Sequence, residues 1–134
     1  MNDIRRKGVA IVVTKKGILV VAGKSKKFAL PGGGANRLES RKKATIRELY
    51  EETGLKTKKI EYLFESIGEK WHTHGGRLVK NHTKVFLVEV EGIPKPRSEI
   101  RYVDFWKPNS NLNLSGGTKR IFKKYFNEYK KIII

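Results

Sequence analysis

Residues 33–55 of the chain read GGANRLESRKKATIRELYEETGL, and this stretch carries the strongest pattern in the sequence. Its apolar residues recur at helical spacing, which predicts a helix from Glu39 or Ser40 to Thr53. The side chain of Ser40 can cap the first turn, and Gly54 suits the left-handed backbone position that ends a helix. The local sequence therefore specifies both ends of this helix.

The predicted helix gathers three glutamates on one face. At about 100° per residue, Glu52 lies at about 40° and Glu51 at about −60° from Glu48. Three glutamates on a helix more often form a solvated face. Bringing their like charges together is unfavourable. Such crowding favours a bound cation, and ligands made only of oxygen favour Mg²⁺ or Mn²⁺ over zinc. The opposite face, which we expect to pack on a sheet, holds Ile46, Leu49, Tyr50 and Thr53.

The spacing of the whole stretch resembles the Nudix box, Gly-x5-Glu-x7-Arg-Glu-U-x-Glu-Glu-x-Gly-U, in which U is a bulky aliphatic residue. A chance match is about one in a billion per starting position at average residue frequencies. Every fixed position of the box is filled, by Gly33, Glu39, Arg47, Glu48, Leu49, Glu51, Glu52, Gly54 and Leu55.

The resemblance implies an α/β (α+β) fold, a Nudix-like α/β/α sandwich with a mixed sheet between helices. It also implies Mg²⁺-dependent hydrolysis of the diphosphate bond in a nucleoside diphosphate linked to another group, with Mn²⁺ as the alternative metal. By position in the box, Glu48 and Glu52 would be the principal metal ligands. Glu51 would be a further ligand, direct or through water, and the carbonyl of Gly32 another.

The resemblance also implies supporting roles. Glu39 would sit beside the metals, and Gly33 would let the loop bend tightly against the helix. Arg47 would orient the glutamates, in part by pairing with Glu51 four residues later. The general base would come from the box or from a downstream loop, where Glu99 is the candidate, although an exposed loop glutamate is the commoner case.

The substrate is less clearly indicated. Family members act on nucleoside triphosphates, dinucleoside polyphosphates, nucleotide sugars, ADP-ribose or capped RNA. Many ADP-ribose hydrolases carry a proline beyond the box where this chain has Trp71 and its neighbours, which counts against ADP-ribose. We expect a nucleoside triphosphate, with or without an oxidised base, and a dinucleoside polyphosphate or a nucleotide sugar is the alternative. Arg77 is a candidate for binding phosphate, and Trp71 for stacking on a base.

The charge of the chain keeps a second hypothesis open. Thirty Lys and Arg against 13 Asp and Glu give a net charge of +17, and such a surface attracts polyanions. An RNA-binding or RNA-end-processing protein would use this charge, although no RNA-binding motif is visible. A binding module without activity is disfavoured, because all the box glutamates are present.

Length and composition set the remaining expectations. A chain of 134 residues fits one domain, 1–134, and the absence of cysteine excludes disulfides and thiolate metal sites. We expect a cytoplasmic protein, since the charged N-terminus does not resemble a signal peptide and no apolar run reaches the length of a membrane span. The partners would be a nucleotide and no membrane. A monomer and a homodimer both stay open, and the apolar end 131–134 is a possible dimer contact.

Outside the box, hydrophobic periodicity predicts several further elements. We expect strands at 9–13, 18–22, 60–67, 84–90 and 100–106, with a hairpin across 71–79. A second amphipathic helix is predicted at 118–130. The glycine run at 31–34 cannot be regular structure by the usual rules, so we predict a loop there.

Overall fold

The computed structural model describes residues 3–129. Within that range the chain forms, in order, β1 Asp3–Ile11, β2 Val13–Thr14, β3 Gly17–Ala22, β4 Gly32–Gly34, α1 Arg41–Thr53, β5 Lys56–His72, β6 Leu78–Glu91, β7 Tyr102–Trp106 and α2 Gly116–Glu128. In this part of the chain, no helix combines the length and the apolar character needed to cross a membrane.

The strands divide between two sheets. Four form a mixed sheet in the order β4–β1–β6–β5, in which β1 runs parallel to β6 and antiparallel to β4. The other three form an antiparallel sheet in the order β2–β3–β7. The predicted mixed sheet is confirmed. The second sheet arises because the predicted strand 9–13 breaks at Val12, and the chain continues into β2.

Both faces of the mixed sheet are covered, because alternate residues of β1 point to opposite sides. Val9 and Ile11 pack in one apolar cluster with Ile121 of α2. Ala10 packs in another cluster with Leu49 of α1. The α/β/α arrangement expected from the sequence is therefore confirmed, and α1 is held against β1 on one side of the sheet.

The glycine run is the clearest error of the sequence prediction. Residues Gly32–Gly34 form strand β4, which pairs antiparallel with Lys7, Gly8 and Val9 of β1. Gly32 has φ +151°, and a β-carbon there would lie 2.2 Å from the carbonyl oxygen of Gly8. Only glycine permits so close an approach, so the feature that argued for a loop is what allows this strand.

The hairpin strands are longer than their apolar residues predict. The predictions 60–67 and 84–90 correspond to Lys56–His72 and Leu78–Glu91, which pair antiparallel with three register shifts. The added residues are mostly polar, and pairing in the ladder extends them as strands. The predicted hairpin turn is confirmed, since the Gly76 amide donates to the Thr73 carbonyl at 2.9 Å.

The second helix begins earlier than predicted. It starts at Gly116, because the Ser115 side chain caps it by accepting from the Thr118 amide at 3.2 Å. The predicted end at Lys130 and the apolar end 131–134 lie outside the described residues. The last strand starts at Tyr102 instead of residue 100, since Ile100 closes a turn with Arg97.

Candidate active site

Helix α1 positions the box glutamates, and its ends are those predicted. The Ser40 hydroxyl accepts a hydrogen bond from the Lys43 amide at 3.0 Å. Gly54 takes the left-handed conformation, with φ 78°, and its amide donates to the carbonyl of Tyr50. Between these caps the regular helix places Glu48 and Glu52 one turn apart on the same side.

The sequence predicts that the acidic face of α1 points away from the sheet, and this prediction is wrong for Glu52. Glu52 is buried, with 7% of its surface exposed, whereas Tyr50 on the predicted packing face is 44% exposed. Leu49 and Thr53 are buried as expected. The helix is rotated so that Glu48 and Glu52 face strand β4, because a strand without side chains leaves room for carboxylates against its backbone.

Backbone groups of β4 contact both carboxylates. The Gly32 amide donates a hydrogen bond to Oε1 of Glu52 at 3.1 Å. The side chain of Glu48 lies against Gly33 and occupies the space that a β-carbon at residue 33 would fill. Strand β4 therefore fixes one carboxylate by a hydrogen bond and the other by close contact.

The electrostatic state of Glu52 reflects this confinement. Burial raises the pKa of Glu52 to about 8, and the neighbouring carboxylates of Glu48 and Glu99 add to the effect. The hydrogen bond from Gly32 works in the opposite direction. Two carboxylates held together in a low-dielectric setting repel each other strongly, and a cation placed between them would relieve that repulsion.

Arg47 holds the other acidic residues in place through five hydrogen bonds. Its guanidinium binds both carboxylate oxygens of Glu39, each at 2.8 Å. It also donates to Glu48 at 2.8 Å, to Glu51 at 3.1 Å and to the carbonyl of Gly34 at 3.1 Å. This bonding to Arg47 lowers the pKa of Glu39 to about 2. The predicted pairing of Arg47 with Glu51 is present, and Glu39 and Glu48 share the same guanidinium.

Glu99 lies on a loop that docks onto the C-terminal end of α1. The Arg97 amide donates to the carbonyl of Glu52 at 3.1 Å, and the Lys95 amide to that of Thr53 at 3.0 Å. Ser98 contributes a further bond to the carbonyl of Glu51. These contacts satisfy helix carbonyls that would otherwise lack partners. They bring the exposed Glu99 close enough to affect the pKa of Glu52.

Comparison with known proteins decides the family. Residues 4–125 match the NUDIX domain family. This chain belongs to the Nudix family. A nudix hydrolase family member from Chromobacterium violaceum is 34% identical, with a TM-score of 0.77 over 95% of this chain and 79% of that one. The resemblance inferred from the box is therefore confirmed, and the chain is a Nudix-type pyrophosphohydrolase.

Other solved structures share the fold. A MutT protein from Bacillus halodurans is 25% identical, with a TM-score of 0.72 over 89% of this chain and 80% of that one. A bifunctional NMN adenylyltransferase/ADP ribose pyrophosphatase from Francisella tularensis, complexed with AMP and a Mn ion, is 20% identical. Its TM-score is 0.67, over 96% of this chain and 42% of that one. A search of curated proteins found no match to this sequence.

Nudix enzymes generally use divalent metals, and part of the expected ligand set fits one. Glu48 and Glu52 present carboxylate oxygens beside the backbone of β4, and hard oxygen donors suit Mg²⁺. Glu51 does not join them, since its side chain is 48% exposed and bound to Arg47. Among residues 3–129, no three His, Asp or Glu side chains already converge into a metal site.

The structure separates the two predicted substrate residues of this Nudix protein from its carboxylates. Trp71 ends β5 and Arg77 precedes β6, and both line one pocket near Gly34. The sequence indicated that Arg77 could bind phosphate and Trp71 could stack on a base, but not that the two residues lie together. Their proximity follows from the hairpin, which returns the chain after the turn at Gly76.

Sequence reasoning missed Lys7. Its side chain is partly buried, and burial together with Arg5 lowers the pKa of its ammonium, while the nearby carboxylates of Glu52 and Glu48 oppose this effect. Lys7 also lines a cavity between the mixed sheet and the start of α2. One lysine among 21 gives no local signal, and only the pairing of β1 with β4 places it here.

Proposed function

We propose that this Nudix protein hydrolyses the diphosphate bond of a nucleoside triphosphate, with Mg²⁺ as its cofactor. The observation that supports this most directly is the pair formed by buried Glu52 and partly buried Glu48, which faces the glycine strand β4. A buried carboxylate pair is costly unless a cation compensates it. The confirmed family supplies a reaction in which such a cation is needed.

In this proposal Glu48, Glu52 and the carbonyl of Gly32 would hold the metal. Glu51 would join them directly or through water, after releasing Arg47. A bound divalent ion would neutralise charge on the phosphates and make hydroxide available near neutral pH. Arg47 would keep Glu48 oriented, because a guanidinium with several fixed partners has little freedom to move.

Glu99 is the proposed general base. Water attacks a phosphorus atom, forming one P–O bond as the bridging P–O bond of the anhydride breaks. The water proton passes to the carboxylate of Glu99, and the leaving phosphate departs as an anion. The docked loop brings this carboxylate close to Glu52, as its effect on the Glu52 pKa indicates. An exposed position near the carboxylate pair leaves it free to exchange protons with solvent.

A cavity that Lys7 lines supports a nucleotide substrate, because Lys7 also interacts electrostatically with Glu52 and Glu48. It lies between the mixed sheet and the first turn of α2, and its polar groups come from Lys7, Ser66, Asn81, Thr83 and Arg120. A few converging polar groups in a partly apolar cavity are typical of sites for small molecules. Lys7 connects this cavity to the carboxylate pair.

The test is a phosphate-release and pyrophosphate-release screen of nucleotides with Mg²⁺. Glu52→Gln should lower kcat/KM by at least about 100-fold. Loss of a residue that only supports a metal ligand already costs about 10- to 100-fold, and loss of a ligand itself should cost more. Glu69→Gln is the matched control, because Glu69 is an exposed glutamate outside the site. Wild-type activity in the Glu52→Gln variant would refute the ligand assignment.

A further inference from the structure

A small cavity lies between the mixed sheet and the first turn of α2, and its volume is about 100 Å³. Sites that enclose a whole ligand of nucleotide size usually have volumes of about 300–1,000 Å³. The cavity is therefore too small for a complete nucleotide. It suits one compact group, either free or carried by a larger molecule.

The floor of the cavity is a row of polar side chains on three adjacent strands. Thr83 of β6 is paired with Lys7 of β1 on one side and with Ser66 of β5 on the other. Residues paired in this way point to the same face of the sheet. This face is the one toward α2, because Lys7 lies two residues before Val9, which packs with Ile121 of α2.

Thr83 stands at the centre of this row. It is buried, with 8% of its surface exposed, and it lines the cavity. Within residues 3–129 its side-chain hydroxyl makes no hydrogen bond, although buried hydroxyls nearly always have a partner. A hydroxyl can donate one hydrogen bond to an oxygen atom placed in the cavity. Thr83 thus indicates that a polar group belongs there.

The charge of the lining favours an anion. Lys7 and Arg120 line the cavity, and neither forms an ion pair within the described part of the chain. Burial lowers the pKa of the Lys7 ammonium, because the charge has lost part of its water there. Glu52 and Glu48 oppose this effect, but neither carboxylate is part of the lining. An anion in the cavity would therefore compensate a charge that the protein leaves partly desolvated and unpaired.

The start of α2 contributes to the opposite wall of the cavity. The hydroxyls of Ser115 and Thr118 already have partners, because Ser115 accepts from the Thr118 amide and Thr118 accepts from the Leu30 amide. Gly117 also lines the cavity, and its amide belongs to the first turn, where helix amides have no partner within the helix. Amides at this end of a helix attract anions, and so does the helix dipole. The helix therefore adds to the preference that the two cations create.

An aromatic base fits this lining poorly. In the described part of the chain, no aromatic side chain lines the cavity, so no ring is available to stack on a base. An oxyanion instead needs donors from several directions, and the lining offers hydroxyls, cations and a helix amide. The donor set therefore matches a phosphate group.

We infer that this cavity binds a compact tetrahedral oxyanion, of which inorganic phosphate is the simplest. Thr83 and Ser66 donate to it from the sheet. Lys7 and Arg120 supply the opposite charge, and the Gly117 amide donates from α2. The inference goes beyond the proposed hydrolysis, because binding at this cavity requires neither a metal nor the cleavage of a bond.

The experiment is a calorimetric titration of the metal-free protein with inorganic phosphate in EDTA. About 0.3 M KCl screens the attraction of phosphate to the exposed lysines. Thr83→Val removes the hydroxyl and should raise the Kd about tenfold or more, as expected for a lost hydrogen bond to a charged group. Lys7→Met should raise the Kd at least as much, because it removes a charge-assisted hydrogen bond.

Two variants serve as matched controls, and both should bind phosphate like the wild type. Thr57→Val removes a buried hydroxyl that likewise lacks a partner in the described residues but lies outside the cavity. Lys123→Met removes an exposed charge from α2. Thermal melts show whether each variant is folded. If Thr83→Val does not fold, Ser66→Ala tests the same row and should weaken binding by about tenfold.

A parallel titration with AMP distinguishes the source of the anion. If the natural ligand is a free anion, inorganic phosphate should bind more tightly than AMP. If the ligand is a phosphate group of a larger molecule, AMP should bind more tightly. In both cases Thr83→Val should weaken the binding of the tighter ligand.

Two outcomes overturn the inference. If the wild type binds neither compound, the cavity holds only water. If the wild type, Thr83→Val and Lys7→Met bind with equal affinity, phosphate binds at exposed cations elsewhere. Both outcomes leave the proposed hydrolysis intact, because the nucleotide screen with Mg²⁺ tests that reaction separately.

Discussion

Gly33 and Glu48 are in such close contact that a β-carbon on Gly33 would lie 2.6 Å from Oε2 of the carboxylate. The contact joins the middle of β4 to helix α1, although the two residues lie 15 positions apart in sequence. It explains in physical terms why a glycine opens the box. The residue leaves space for the carboxylate to lie along the strand, where a metal could reach both the side chain and the backbone.

Gly33→Ala should therefore impair function more than stability. The new methyl group meets only the movable end of Glu48, so we expect kcat/KM to fall about tenfold or more, with a loss of less than about 1 kcal/mol in unfolding free energy. Gly32→Ala should instead lower the stability of the fold, because its methyl group would meet the backbone of Gly8 and Val9 at a φ of +151°. Urea denaturation should show a loss of at least about 2 kcal/mol for Gly32→Ala. Similar stability losses in the two variants would contradict this account.

Glu52→Gln should be more stable than the wild type when metal is removed. Glutamine can still accept the hydrogen bond from Gly32 but carries no charge. Burial raises the pKa of Glu52 from 4.5 to about 8, so ionisation weakens the folded state progressively as the pH rises through this interval. In EDTA, the Tm advantage of the variant should be small near pH 4.5 and largest above about pH 8. Added Mg²⁺ should raise the Tm of the wild type more than that of the variant, and a pH-independent difference would argue against a buried carboxylate.

Arg47→Lys should lower activity although the positive charge is kept. Lysine cannot bind both oxygens of Glu39 while also reaching Glu48, so we expect kcat/KM to fall by about 10- to 100-fold. The contribution of Glu39 to stability should be complete above its ordinary pKa of 4.5 and lost as the pH falls through about 2. The stability difference between wild type and variant should accordingly narrow on acidification, as measured by urea midpoints at several pH values. A constant difference would show that the lost contacts are not those with Glu39.

Glu99→Gln should lower kcat by about 100-fold with little change in KM, if Glu99 accepts the proton of the attacking water. The side chain is exposed, so the variant should fold normally. Its loop should also stay docked, because the loop contacts with α1 involve residues 95, 97 and 98. Glu69→Gln again serves as the control. Full activity in the Glu99→Gln variant would assign the base to the box instead.

The amino-acid sequence by itself determined the family, both ends of α1 and the relative positions of its glutamates. These properties depend on neighbours along the chain. The period of a helix fixes the angle between Glu48 and Glu52, and capping at Ser40 and Gly54 is a local interaction.

Only the tertiary structure decided which way the acidic face points. Helical periodicity gives the angles between side chains but not the side that meets the sheet, and an acidic face would normally point to water. Pairing of the glycine run with β1 reverses that expectation, since it presents bare backbone to Glu48 and Glu52. The same holds for Glu99 and for the pocket that Trp71 and Arg77 line, whose residues come from separate stretches of chain. Long-range strand pairing brings such residues together, and no periodicity within one segment records it.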